Sequence, residues 1–283
     1  MGPSAGRAGA NGFQLVTHIR RVEGNRRLEA STAWTGAGGL QTACFFLEAV
    51  SQAAGWLIAA SSGFTRRGLP IAMGSVRILG DAPPGAPVDL VAEVTNWRDL
   101  SAQLRGRVEH GGRLIGEARG ICGLLDAEEL EGSAAARAAF AALCSGPANG
   151  QGDPGDPSGV EPPGTPAIEA LDARGARATW MVTGGQRLFA DHFPRLPLLP
   201  GTLQLQALVD LAQTVAAAGN GQGWGLRELR EIRFRRPVRP GERLTLEVEA
   251  GEHSAAGAVF AGRALVGGQR AASIEQIHLG PAA

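Results

Sequence analysis

The chain has 283 residues, of which 44% are hydrophobic, and its 27 basic and 27 acidic side chains give a formal net charge of zero. This length allows one large domain or two of ordinary size. The charge balance gives no electrostatic basis for binding nucleic acid or an anionic membrane surface. Cys44, Cys122 and Cys144 lie far apart without paired spacing, so neither a metal site nor a disulfide framework is expected.

The N-terminal residues 1–12 form a tail rich in glycine and alanine, without the apolar core of a signal peptide. The longest apolar helix, predicted at 40–60, is interrupted by polar residues that include Glu48 and Gln52, which makes it a poor membrane span. We therefore expect a soluble cytoplasmic protein that does not bind membranes.

Short strands are predicted at 13–18 and 27–34, before the helix at 40–60. Four segments that follow alternate apolar and polar residues, as strands of an antiparallel sheet do: 69–79, 87–97, 101–110 and 113–125. The pattern then changes, because 127–144 is compatible with a surface helix and 145–166 is rich in Gly, Pro and Asp without periodicity. We interpret 126–165 as a flexible linker.

Residues 166–283 repeat the order of the first half, with two strands, a helix at 202–218 and four further strands. The sequence repeats locally as well, since 47–54 matches 205–212 and 76–78 matches 232–234. Each helix is apolar over most of its circumference, so a sheet must wrap it. The sequence predicts an α+β protein built from two copies of one unit, 13–125 and 166–283.

The second copy contains a loop in which prolines follow a histidine. His192 precedes Pro194, Pro197 and Pro200, and Gly201 opens the apolar helix. Proline restricts φ and glycine permits close backbone approach, so this loop is predicted to be rigid. His192 then lies beside a helix N-terminus that favours developing negative charge. The competing interpretation is a capped core helix with an incidental histidine nearby.

These residues resemble the FabZ/FabA-type 3-hydroxyacyl-[acyl-carrier-protein] dehydratases, which have the hot-dog fold. The resemblance rests on His192-Phe193-Pro194, on Leu199-Pro200-Gly201, on the strand and turn at 234–242, and on the first-half helix at 47–56. It implies a double hot-dog, in which two antiparallel sheets wrap long helices and pair as a pseudo-dimer. It also implies cofactor-free dehydration of (3R)-3-hydroxyacyl thioesters to trans-2-enoyl thioesters, in fatty-acid or polyketide-type biosynthesis. The substrate would be bound to an acyl carrier protein or to coenzyme A.

The chain departs from the family pattern in both copies. The family places a carboxylate fourteen residues after its histidine, where this chain has Gln206. The first copy keeps the helix carboxylate as Glu48, but the matching count back reaches Trp34. In the family, each site takes its histidine from one unit and its carboxylate from the other. The resemblance therefore implies one complete site, His192 with Glu48, and one site without acid–base groups, Trp34 with Gln206.

Further roles follow from this resemblance. His192 would take the α proton, Glu48 would assist departure of the hydroxyl, and the Gly201 N–H would hold the thioester oxygen. An acyl tunnel would be lined by Phe193, Leu198 and Leu199. A carrier protein would be contacted by Arg195, Arg235 and Arg236. The protein would be a monomeric pseudo-dimer or a higher homo-oligomer of it.

Several alternatives remain open at this point. A hot-dog thioesterase could use Glu48 without His192, and a double-bond isomerase could use the same pair. A non-catalytic or structural subunit would result if the two halves kept His192 and Glu48 apart. Glu48 could also be an inert residue at the interface of the two halves. The proposed tunnel residues could be ordinary core residues, and the three arginines could form a solvated basic edge.

Overall fold

The computed structural model describes residues 13–33, 42–83, 85–146, 163–183, 186–220, 223–254 and 256–282. Within these ranges, twelve strands join in one antiparallel sheet. The strands are β1 (His18–Glu23), β2 (Arg27–Ala33), β3 (Arg66–Ile78), β4 (Pro87–Arg98), β5 (Ser101–His110), β6 (Arg113–Asp126), β7 (Ala167–Asp172), β8 (Gly175–Met181), β9 (Trp224–Phe234), β10 (Arg243–Ser254), β11 (Gly257–Val266) and β12 (Gln269–Pro281). The helices are α1 (Thr42–Ser61), α2 (Ala127–Leu130), α3 (Ser133–Ser145), α4 (Gln186–His192) and α5 (Gly201–Asn220).

The strand order is the same when the sheet is followed inward from either edge. It runs β1-β2-β4-β5-β6-β3 through the first half and β7-β8-β10-β11-β12-β9 through the second. The two halves meet where β3 pairs antiparallel with β9, for example at Met73 and Ile232. The sheet is therefore continuous across the junction of the two halves.

The two long helices pack on this sheet and contact each other. α1 contacts β2 to β6, α5 contacts β7 to β12, and the helices meet where the two halves join. Gly106 on β5 permits the approach of α1, because a Cβ there would lie 1.9 Å from Val50 Cγ1. α1 is long and apolar enough to span a membrane, but 89% of the window Ala43–Ser61 is buried in the fold. Burial on this sheet accounts for its apolar sequence.

The stretch predicted as a linker contains helices in its described part, and α3 agrees with the surface helix expected within 127–144. α2 and α3 occupy 127–145, and residues 147–162 lie outside the described ranges. Phe140 of α3 packs against Phe64 and Trp56, with ring centroids 5.3 and 6.1 Å apart respectively. These contacts bind α3 to the N-terminal half, so this stretch is part of the packed structure.

Two local predictions were wrong. The strand expected at 13–18 begins only at His18, because the residues before it turn inward to the helix α1. The loop expected before the second long helix begins only at Phe193, because residues 186–192 form the helix α4, whose Leu188 and Phe189 are buried. A helix of this length was missed because it is too short to show clear periodicity.

Candidate active site

A cavity of about 320 Å³ lies between the two halves, and both contribute to its walls. Glu48 lines it from α1, His192 lines it from the end of α4, and Gly201 and Thr202 line it from the start of α5. The structure thus brings the predicted histidine and carboxylate, from opposite halves, to the same cavity.

His192 is half-buried at the end of α4. Its Nδ1 lies 3.2 Å from the carbonyl oxygen of Leu198. Because a carbonyl only accepts hydrogen bonds, we assign the proton to Nδ1, which leaves the Nε2 lone pair as the proton acceptor. Burial, assisted by the positive charge of Arg67, lowers the pKa of His192 to about 4. The ring is therefore neutral at neutral pH and can act as a base.

Glu48 is only 5% exposed and is hydrogen-bonded on both oxygens. Thr202 Oγ1 donates to Oε2 at 2.7 Å, and Gln52 Nε2 donates to Oε1 at 2.8 Å. Burial raises the pKa of Glu48, and these two hydrogen bonds oppose that rise because they favour the charged form. A carboxyl group whose pKa is raised remains protonated to higher pH than usual and can serve as an acid.

The segment before β1 lines the cavity, and Gln52 holds it there. Gln52 Nε2 donates to the Phe13 carbonyl oxygen at 2.7 Å, and the Leu15 N–H donates to Gln52 Oε1 at 2.8 Å. The Phe13 ring packs edge-on against His192, with centroids 5.8 Å apart. Phe13 thus forms part of the cavity wall beside His192.

Gly201 is the first residue of α5, and its backbone lines the cavity. The first N–H groups of a helix have no intrahelical partner, so this end of α5 can donate to a ligand oxygen. A Cβ on Gly201 would lie 2.4 Å from Phe234 Cε1, so the helix can begin here only with glycine while the ring keeps its place.

Gly201→Ala is expected to lower both stability and activity because of this contact. Overpacking of a filled site costs about 1–3 kcal/mol, which urea unfolding would measure. Adding Phe234→Leu should relieve the contact and recover part of the lost stability. If the double variant is no more stable than Gly201→Ala, the steric explanation is wrong.

The predicted tunnel residues all line this cavity. Phe193, Leu198 and Leu199 are buried, and Phe193 and Leu198 also pack against Leu130 of α2. These side chains are therefore both cavity wall and core, and α2 supports the loop that carries them.

The three predicted carrier-contact arginines lie in different settings. Arg195 Nη1 donates to the Glu128 carbonyl oxygen at 2.8 Å and also bonds the Glu128 carboxylate, which joins the loop to α2. Arg236 forms an ion pair with Glu242. Arg235 lines the cavity, is exposed, and makes no side-chain ion pair within the described residues. Of the three, only Arg235 combines exposure with a place at this cavity.

Gln206 lies on a separate cavity of about 370 Å³. Its Nε2 donates to Asp210 Oδ1 at 2.7 Å, one turn further along α5. The described residues that line this second cavity include no histidine. Trp34, the other predicted member of that site, lies outside the described residues.

Sequence reasoning missed Thr202 and Gln52, which hold Glu48, and Arg67 and Glu131, which also line the main cavity. Gln52 follows Glu48 by one helical turn, a spacing that could have indicated the contact. No sequence signal joined Arg67 to Glu131. Within the described ranges, no group of three or more His, Cys, Asp or Glu side chains is arranged to hold a metal ion.

Two solved structures share this fold over nearly the whole chain. A conserved protein of unknown function with hot dog fold from Alicyclobacillus acidocaldarius covers 96% of this chain and 98% of its own, with TM-score 0.55 and 16% identity. An acyl-ACP thioesterase from Bacteroides thetaiotaomicron covers 90% and 98%, with TM-score 0.55 and 14% identity. Identities this low concern the fold alone, and the predicted hot-dog fold is confirmed.

Relatives in sequence identify a family among the proteins with this fold. A 3-hydroxyacyl-[acyl-carrier-protein] dehydratase FabZ from Variovorax paradoxus is 36% identical over 106 residues, which are 35% of this chain and 71% of that protein. The corresponding FabZ from Albidiferax ferrireducens is 34% identical over 115 residues, 38% of this chain and 77% of that protein. The family model described as ApeI-like, ApeI dehydratase, matches residues 169–272. The chain belongs to the family of FabZ-type 3-hydroxyacyl-[acyl-carrier-protein] dehydratases.

Proposed function

We propose that this protein removes water from (3R)-3-hydroxyacyl thioesters to form trans-2-enoyl thioesters, in fatty-acid or polyketide-type biosynthesis. Membership of the FabZ family supports the reaction. The observation that carries the assignment of residues is the cavity shared by His192 and Glu48, one from each half of the chain. No cofactor is required by this chemistry.

The reaction is a proton abstraction coupled to loss of hydroxide as water. Nε2 of His192 takes a proton from C2 while the Gly201 N–H stabilises negative charge on the thioester oxygen. The Glu48 carboxyl group donates its proton to the 3-hydroxyl, the C3–O bond breaks, and the C2–C3 double bond forms. His192 has then gained one proton and Glu48 has lost one, and exchange with solvent restores both.

We infer that the chain arose as a fused pair of hot-dog units with one complete site. The matching strand order of the two halves supports this interpretation. The cavity beside Gln206 would then be the second, inactive site, because an amide cannot exchange a proton near neutral pH. Both halves contribute to the complete site, the first with Glu48 on α1 and the second with His192 at the end of α4.

The substrate is proposed to be carried by an acyl carrier protein or by coenzyme A, and the enzyme to be soluble. Arg235 is the arginine placed to meet an acidic carrier surface or a phosphate, because it is exposed and lies at the cavity. The apolar wall formed by Phe193, Leu198 and Leu199 would hold the acyl chain.

The dehydration assay uses 3-hydroxyacyl thioesters bound to carrier protein and to coenzyme A, with products separated by mass spectrometry. We expect an enoyl product that has lost one water and retains its thioester. Release of free acid would instead identify a thioesterase. If no substrate of either kind is converted, the proposed function is wrong.

The pH dependence of kcat/KM should be bell-shaped. Activity needs neutral His192, so it rises as pH increases through a pKa of about 4, and it needs protonated Glu48, so it falls as pH passes the raised pKa of that group. Thr202→Val removes a hydrogen bond that lowers the pKa of Glu48 and should move the falling limb to higher pH. A falling limb that moves to lower pH, or stays in place, would contradict the role of Thr202.

A further inference from the structure

Arg67, near the start of β3, is a buried cation in the wall of the main cavity. Only 8% of its surface is exposed, and its guanidinium carbon lies 4.1 Å from the centroid of the Trp56 ring. Its Nε is 2.8 Å from Glu131 Oε1. The Arg67 Nε–H is not aligned with Glu131 Oε1 as a hydrogen bond requires. Arg67 Nη1 also has no hydrogen-bond partner within the described residues. The guanidinium therefore keeps unused donors beside the cavity.

The ion pair with Glu131 does not by itself explain a buried guanidinium at this position. A buried ion pair typically adds little stability compared with apolar residues of similar volume. The neighbouring cavity wall, which includes Leu69, Phe193 and Leu198, is largely apolar. Buried donors of arginine normally have acceptors, so an acceptor supplied by a ligand would complete the site.

The neighbours of Arg67 indicate which part of a substrate it would meet. Its ion-pair partner Glu131 directly follows Leu130, and Leu130 packs against Phe193 and Leu198. These two side chains belong to the wall proposed to hold the acyl chain. The guanidinium of Arg67 is therefore placed beside the part of the cavity proposed for the acyl chain.

We propose that Arg67 recognises an oxygen atom in the acyl chain, and that the preferred substrates are 3-hydroxyacyl thioesters with a keto or carboxylate oxygen remote from the thioester. This inference rests on the proposed dehydratase function and specifies its substrate class. Glu131, at the end of α2, holds the guanidinium toward the cavity. Trp56 supports its planar face.

The test compares 3-hydroxyacyl chains of one length, each bound as a thioester to carrier protein and to coenzyme A: a saturated chain, a series with one keto group at successive remote positions, and a chain ending in carboxylate. Dehydration is measured for the wild type, for Arg67→Met, and for Arg66→Met as a matched control. Arg66 is the preceding residue on the same strand and is exposed. Thermal unfolding checks that each variant is folded.

The wild type should prefer at least one oxygenated chain by about tenfold or more in kcat/KM, the scale of a charged hydrogen bond. Arg67→Met should lose that preference, whereas Arg66→Met should keep the activities of the wild type on all chains. The keto and carboxylate arms identify which acceptor is recognised.

Three outcomes distinguish failure of this inference from failure of the proposed dehydratase function. If the wild type dehydrates all chains equally, the inference fails while the dehydratase proposal stands; this result does not depend on whether Arg67→Met folds. If Arg67→Met changes all substrates equally and shifts the acid limb of the pH profile, Arg67 acts through its charge on His192 and the inference also fails. If no chain is dehydrated, the proposed function itself is wrong.

Discussion

His192→Ala is expected to reduce kcat for dehydration by about 10²–10⁴-fold, the usual contribution of a positioned general base. The imidazole Nε2 is the basic atom of this histidine, since Nδ1 is held by the Leu198 carbonyl oxygen. Alanine removes that atom and leaves Glu48 with its bonds to Thr202 and Gln52. The measurement is the rate of enoyl thioester formation at saturating substrate.

The loss should lie in the chemical step and not in folding. Substrate binding is expected to change little, because the apolar wall around Leu198 and Leu199 remains. Thermal unfolding of His192→Ala should resemble that of the wild type. Retention of more than about a tenth of wild-type kcat in a folded variant would rule out His192 as the general base.

Glu48→Gln is the second substitution with a large expected effect, again about 10²–10⁴-fold in kcat. The amide has nearly the same shape and can keep both contacts, because Thr202 can accept a hydrogen bond where it now donates one. What is lost is the proton that Glu48 would give to the leaving hydroxyl. The kinetic change should therefore occur without a large change in stability.

Gln206→Ala is the matched control for Glu48→Gln. Gln206 occupies the corresponding position on α5 and lies on the other cavity. Its substitution should leave kcat close to that of the wild type. Equal losses in Glu48→Gln and Gln206→Ala would mean that Glu48 acts through packing rather than as an acid.

The repetitive and periodic parts of the chain were predictable from sequence. β5 was predicted at its observed bounds, and α5 extends the predicted helix by only a few residues. The expectation that His192 and Glu48 share one cavity came from the family resemblance. Neither half contains both groups, so neither half alone indicates a complete site. Local sequence alone gives no distance between residues on different halves.

The parts that could not be predicted depend on contacts between distant segments. α2 belongs to a stretch expected to be a linker with a surface helix, yet its Leu130 is buried against Phe193 and it positions Glu131 at the cavity. Phe13 reaches His192 because Gln52, far along the chain, binds its backbone. Such contacts have no periodicity, so only the folded chain reveals them.

The most direct measurement is a mixing experiment with the two inactive variants, co-expressed so that chains can associate. The complete site is proposed to lie within one chain, with His192 and Glu48 both contributed by that chain. A mixture of His192→Ala and Glu48→Gln should therefore remain as inactive as either variant alone. Recovery of dehydration well above both unmixed variants would show that the site is built between chains, and would contradict the single-chain composite site.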